Sequence, residues 1–404
     1  MTNINKITIY NLIFFLRAII LLAPITLLFY QHNGLGAKEL FFFQGIFYLT
    51  SILFEPPIGY LSNIISGKKL LLSSFIIYLS VIVSWIYFRG YYIILLGEVF
   101  CAISKVIMDN VMSGYLYCFL QNKEKENKMP KHYGYLNFSL ALGTTVASIL
   151  GTFLFSKFGF NILLTAQSFI IIVSILLLSL MPNIQNKKTK KSFINSLQNF
   201  SKTIKLILNN KNIKYHIFLS GFLTAYSILF VLSFQLIIIK TSLPIFIFGA
   251  IALTNHGLRA IASLSSNTFF KRFDLSQIAK ILFILYVIAF FLILFTYHTQ
   301  NKLIALATMV LICIFIGLQL IFTILHISRA HAFIKNSQRG SLMSVNNFIS
   351  RTSTMAILLS SKIFIDKYFY FDIYYIILFI IYLIIASVLT YKITNLGTNK
   401  WKNF

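Results

Sequence analysis

Arg17, Glu55, Glu98, Lys105, Asp109, His256, Arg259 and Arg351 each stand inside a long apolar stretch of this 404-residue chain. A charge without water around it is costly, so such side chains face a partner or a polar cavity. There they could bind a charged solute, pass a proton or lock helices together. Glu98, Lys105 and Asp109 are separated by seven and four residues. At about 100° per residue, a helix brings them within roughly 40° of one another. A stripe of two acids and a base points into a bundle, either as a structural ion-pair stripe or as a relay for protons or substrate. Arg17, Lys105, Arg259 and Arg351, set against Glu55, Glu98 and Asp109, leave an excess of fixed positive charge. Planar guanidinium groups favour carboxylate and phosphate, so the expected substrate is a small anionic or zwitterionic organic solute. His256 reads as a proton carrier or as a hydrogen-bonded core residue. Tyr226, Gln235, Tyr115 and Tyr117 add neutral donors and aromatic surface.

The elements that must position these groups follow from composition. The chain is 58% hydrophobic and 11% charged, with a mean hydropathy of +0.82. A soluble domain is about 25% charged, and a disordered chain needs low hydrophobicity. Both classes are excluded, which leaves a polytopic membrane protein. Apolar windows predict spans at 8–30, 39–62, 69–88, 91–119, 133–156, 159–181, 215–239, 244–267, 277–297, 303–328, 340–364 and 369–392. The first is too long for a signal-peptide core and lacks a small-residue cleavage site, so it reads as a retained span. The net charge of +26 would suggest nucleic acid in a soluble protein. Here 24 of the 35 Lys and Arg residues fall on the side of the two termini, 7 on the other side and 4 within spans. That bias predicts cytoplasmic N and C termini and no nucleic-acid partner. The three cysteines, Cys101, Cys118 and Cys313, lie in apolar segments and suit neither a disulfide framework nor a zinc site.

The longest polar interval, residues 182–214, divides the spans six and six. The expected organisation is therefore a bundle at 1–181, a basic linker at 182–214 and a second bundle at 215–404. The linker carries Lys187, Lys188, Lys190 and Lys191, then Phe193, Leu197, Phe200, Ile204 and Leu208 at helical spacing. This reads as an amphipathic helix lying at the cytoplasmic interface.

At the end of the second span stands Glu55-Pro56-Pro57-Ile58-Gly59-Tyr60-Leu61-Ser62-Asn63, followed by Ile64-Ile65-Ser66-Gly67-Lys68-Lys69. This resembles the loop 2–3 motif of the major facilitator superfamily, Gly-x-Leu-Ala-Asp-x-x-Gly-Arg-Lys, in the branch with Glu-x-Pro-x-Gly. Gly97-Glu98 and Ser113-Gly114-Tyr115-Leu116-Tyr117 in the fourth span are similar to the same branch. Arg339-Gly340-Ser341-Leu342-Met343-Ser344 before span 11 resembles its Arg-Ala-Thr-x-x-Ser segment. Asn63 stands where the family has Asp, and Ser66-Gly67 where Gly-Arg is expected, which weakens the charge relay of the gate. Span 5 has Gly143 and Gly151 but no Gly-Pro pair, so the motif of drug/proton antiporters is missing. The resemblance implies an all-α membrane protein with twelve transmembrane helices in two six-helix bundles that rock about a midplane site. It implies a cavity lined by helices 1, 4, 7 and 10, placing Arg17 and Lys105 in the cavity and Arg259 and Arg351 where the halves meet. Glu55, Gly59, Asn63, Lys68, Lys69 and Arg339 become gate residues. Gly59 would allow close helix contact, and Asp109 would partner Lys68 and Lys69.

The leading expectation is a proton-coupled secondary transporter, with export of an anionic or zwitterionic compound as its first candidate task and with no catalytic residue, metal or cofactor. Sodium is the alternative coupling ion. Efflux of lipophilic cations and nutrient uptake remain alternatives for the substrate and direction. A membrane-embedded transferase would need clustered acids or histidines, and His326, Arg329 and His331 have no neighbouring carboxylate. A non-transporting sensor would share the same sequence features. The abundance of Ile, Asn, Lys, Phe and Tyr suggests an AT-rich bacterial genome, hence an inner membrane; the chain is expected to be a monomer in the lipid bilayer.

Overall fold

The computed structural model describes residues 3–121, 129–183, 211–272, 275–332 and 339–364, with short pieces between 201 and 209 and between 380 and 392. Lipid offers no hydrogen-bond partners, so apolar runs close their backbone bonds internally as helices. The order is α1 (Asn3–Ala18), a 3₁₀ turn (Ala23–Ile25), α2 (Thr26–His32), α3 (Ala37–Ile64), α4 (Gly67–Tyr87), α5 (Tyr91–Gln121) and α6 (Met129–Ser179). It continues with α7 (Lys211–Lys240), α8 (Phe246–Arg272), α9 (Leu275–Thr299), α10 (Lys302–Ala332) and α11 (Arg339–Phe364). Expected spans 2 to 11 each coincide with a described helix or part of one. The twelfth lies mostly outside the described residues, as does most of the expected linker helix.

Among the described residues, eight helical segments are long and apolar enough to cross a membrane. α8 and α11 are not among them because polar residues interrupt them: Asn255, His256 and Arg259 in one, Asn346, Asn347 and Arg351 in the other. α6 contains 51 residues, about 76 Å at 1.5 Å per residue, against a hydrocarbon core of about 30 Å. Gly159 interrupts it with φ 76° and ψ −174°. That conformation is essentially restricted to glycine, and it separates the expected spans 5 and 6.

The first expected span differs from the sequence reading, since it is two helices and not one. Pro24 has no N–H to donate to the carbonyl of Ile20 and its ring crowds that group, so the chain opens over residues 19–22. Gln167 of α6, fully buried, spans the opening. Its Nε2 donates to Ile19 O at 2.8 Å, and its Oε1 accepts from Leu21 N–H at 2.7 Å. Gly151 lets the two chains approach: a Cβ there would sit 2.1 Å from Leu21 O.

By packing, the chain divides into two compact units. One comprises Met1–Gly36, Ile46–Ser196 and Phe248–Leu253; the other comprises Ala37–Gly45, Leu197–Ile247 and Thr254–Phe404. In the first, α1 and α4 pack on α6 and α4 packs on α5. In the second, α7 packs on α10 and α11, and α9 on α10.

Candidate functional site

The first unit holds a desolvated cation. Arg17, in the last turn of α1, is 3% exposed. Its guanidinium lies 3.9 Å from the Tyr78 ring centroid, with the Phe75 ring at 5.8 Å, both on α4. Nη2 donates to Ser104 Oγ of α5 at 3.3 Å, and Nε is buried with no hydrogen-bond partner. Ser104 is itself committed: its hydroxyl donates to Ser74 O at 2.9 Å, and that of Ser74 to Ser104 O at 2.9 Å. Arg17 meets no carboxylate among the described residues, so ring faces and one long hydrogen bond carry its stabilisation.

The three-residue stripe on α5 divides along its length. Glu98 is buried and accepts a 2.7 Å hydrogen bond from Tyr30 Oη of α2. Lys105 and Asp109 instead form an ion pair with each other, Nζ to Oδ2 at 2.6 Å, with side chains 46% and 31% exposed. α2 covers only one end of the stripe.

Lys68 bonds elsewhere than the expected gate. Its Nζ donates to Ser179 O and Met181 O, both at 2.6 Å, capping the end of α6. Tyr115 Oη donates to Pro182 O at 2.6 Å beside it. Lys69 is exposed and Glu55 half-buried. Open space surrounds the position a Cβ would take on Gly59, so the close helix contact expected there is not made in this structure. The side chains of Asn63 and Arg339 lie outside the described residues, as do those of His326, Arg329 and His331.

In the second unit, His256 and Arg351 are half-buried and Arg259 is exposed. Tyr226 is buried in a cluster of rings with Phe230, Tyr286 and Tyr382, which makes it a packing residue here. Gln235 is likewise buried, while Tyr117 is exposed. A set of neutral groups joins α7 to α10. Gln319 Nε2 donates to Thr224 Oγ1 at 3.1 Å and to Thr323 Oγ1 at 3.0 Å, and Ser220 Oγ lies 3.4 Å from Thr323 Oγ1.

Sequence reasoning centred on charge and passed over Gln167, Thr224 and Gln319. Their signal was available: an amide inside an apolar span bonds across helices for want of water. Ser74, Ser104 and Tyr78 carried no such signal, because hydroxyls in helices commonly bond their own backbone.

A helical membrane chain with polar seams between its helices and isolated charges within them has the general build of a solute carrier. Residues 7–358 match the model of the Major Facilitator Superfamily. The chain belongs to this superfamily and is a multi-pass membrane transporter with its all-α fold. It is 24% identical over 313 residues to the uncharacterized transporter BU466 of Buchnera aphidicola subsp. Acyrthosiphon pisum (strain APS), covering 75% of this chain and 74% of that protein. Among solved structures, it resembles the nucleoside transporter NupG with a TM-score of 0.76 at 13% identity, over 97% of this chain and 99% of that one. A D-xylose-proton symporter gives 0.72 at 12% identity, over 96% and 95%. At such identities the structural likeness concerns the fold alone. Family and fold point to a transporter rather than an enzyme.

Proposed function

We propose that this transporter moves a small anionic or zwitterionic organic solute by alternating access, coupled to protons, across a bacterial inner membrane with both termini cytoplasmic. The carrying observation is the exposed Lys105–Asp109 pair within a span. Exposure of two charges to hydrocarbon would be prohibitive, so this face of α5 borders water. The pair then has a simple chemistry. Protonation of Asp109 frees the Lys105 ammonium, which takes a substrate carboxylate or phosphate in its place. Loss of the proton restores the pair and expels the anion. Arg17 supplies a fixed positive charge on the same bundle, and Arg259 and Arg351 do so in the second unit. Lys69, Glu55, Gly59, Asn63 and Arg339 serve the cytoplasmic gate, while Lys68 caps the end of α6.

The neutral ladder of Thr224, Gln319 and Thr323 favours a second reading, in which the solute is an uncharged polyhydroxylated compound, as the names of the nucleoside and xylose carriers would suggest. Flux into proteoliposomes separates the two. Under the first reading, a pH gradient drives organic anion uptake. Asp109→Asn abolishes that response while exchange down a concentration gradient persists, and Lys105→Gln abolishes both. Transport of anions that survives Lys105→Gln, Arg17→Gln, Arg259→Gln and Arg351→Gln individually would remove the basis for an anionic substrate.

A further inference from the structure

In the second unit, an apolar pocket of about 250 Å³ opens between α7, α11 and the described end of the linker. Val345, Phe348, Ile349 and Thr352 recur at the spacing of one helical face, opposite Phe218 of α7 and Ile204 and Ile207 of the linker. Ile207 is 1% exposed, so the linker is packed into the bundle here. Thr352 spends its hydroxyl on Phe348 O at 2.8 Å and offers the pocket its methyl group. Ser353 adds one hydroxyl to a wall that is otherwise hydrocarbon, so the pocket suits an apolar chain and offers a polar solute little.

The surroundings carry one sign of charge. Lys205 follows Ile204 and is exposed, and Lys214 lies one helical turn before Phe218 on the same face of α7. Lys202 and Lys211 belong to the same stretch, and the sequence has no acidic residue between Glu126 and Asp274. Lysines unmatched by any nearby acid in sequence, next along the chain or one turn away from residues that line a hydrocarbon pocket, complement a molecule with an apolar chain and an anionic head.

We propose that this pocket binds one acyl chain of an anionic phospholipid, with the phosphate held by Lys205 and Lys214. The acyl chain gains little by leaving the bilayer, which is as apolar as the pocket, so selection rests on the headgroup. A basic residue near the surface contributes about fivefold each, giving the two lysines a preference of roughly twentyfold or more.

The test is native mass spectrometry of the purified full chain, equilibrated with equal amounts of phosphatidylglycerol and phosphatidylcholine of identical acyl chains. The expected result is one phosphatidylglycerol retained in strong preference, with the preference lost in K205Q/K214Q. Ile349→Trp, which fills the pocket, should release the lipid while leaving the lysines in place. Equal retention of both lipids by the unaltered chain would overturn the proposal, as would a preference that survives K205Q/K214Q. Displacement of the lipid by an equal concentration of soluble glycerol phosphate would overturn the acyl-chain part.

Discussion

Replacing Gln167 by Leu keeps nearly the same side-chain volume but removes both hydrogen bonds that span the opening in the first membrane span. The Leu21 N–H, held at 2.7 Å, and the Ile19 carbonyl, held at 2.8 Å, then lose their partners inside a fully buried site. A buried group left unsatisfied costs about 1–3 kcal/mol, whereas an average interhelical hydrogen bond in a membrane is worth about 0.6. The larger range applies here, because these backbone groups sit where the helix is already open and no adjacent turn can take them. Two such groups give a loss of about 2–6 kcal/mol. At about 2–4 °C per kcal/mol for a unit of this size, thermal unfolding in detergent should fall by on the order of 4–24 °C. Gln167→Glu gives an internal check, since a carboxyl buried this deeply carries its proton and can accept from Leu21 N–H while its O–H donates to Ile19 O. Its loss should lie nearer the wild type than that of Gln167→Leu. If Gln167→Leu melts within about a degree of the wild type, the backbone closes the gap by itself and the clamp argument fails.

Gly151→Ala places a Cβ against a backbone oxygen that cannot swing aside, and overpacking of this kind costs about 1–3 kcal/mol; a melting temperature equal to wild type would contradict the close approach. Lys68→Met uncaps the end of α6 and should cost about 1 kcal/mol, with a salt dependence in the wild type that the variant lacks. Thr224→Val and Gln319→Leu should be less than additive in stability, with a coupling of about 0.6 kcal/mol in a double-mutant cycle. Strict additivity would mean that the hydrogen bond between them contributes nothing.

The helical layout was legible because a hydrocarbon slab imposes a length on every crossing, and eleven expected spans meet described helices. The opening in the first span was not legible in the same way. Pro24 announced a weakness, but the partner that tolerates it, Gln167, is more than 140 residues away, and only packing brings them together. The charged stripe shows the same division. Angles along α5 followed from residue spacing, whereas covering Glu98 and leaving Lys105 open depends on where Tyr30 arrives from another helix. Lys68 and Lys69 read as a basic pair with one task; the structure gives Lys68 two carbonyls and leaves Lys69 exposed, a difference set by where α6 ends.

The grip of Lys68 and Tyr115 on residues 179–182 also sets the mechanical length of the connection between the halves. The chain is anchored to the first unit up to Pro182 and rejoins packed structure at Ile204 and Ile207. The stretch between, about 20 residues, can reach at most about 70 Å when fully extended. Severing it, and producing the two halves as separate chains in one cell, should therefore leave a carrier that still assembles.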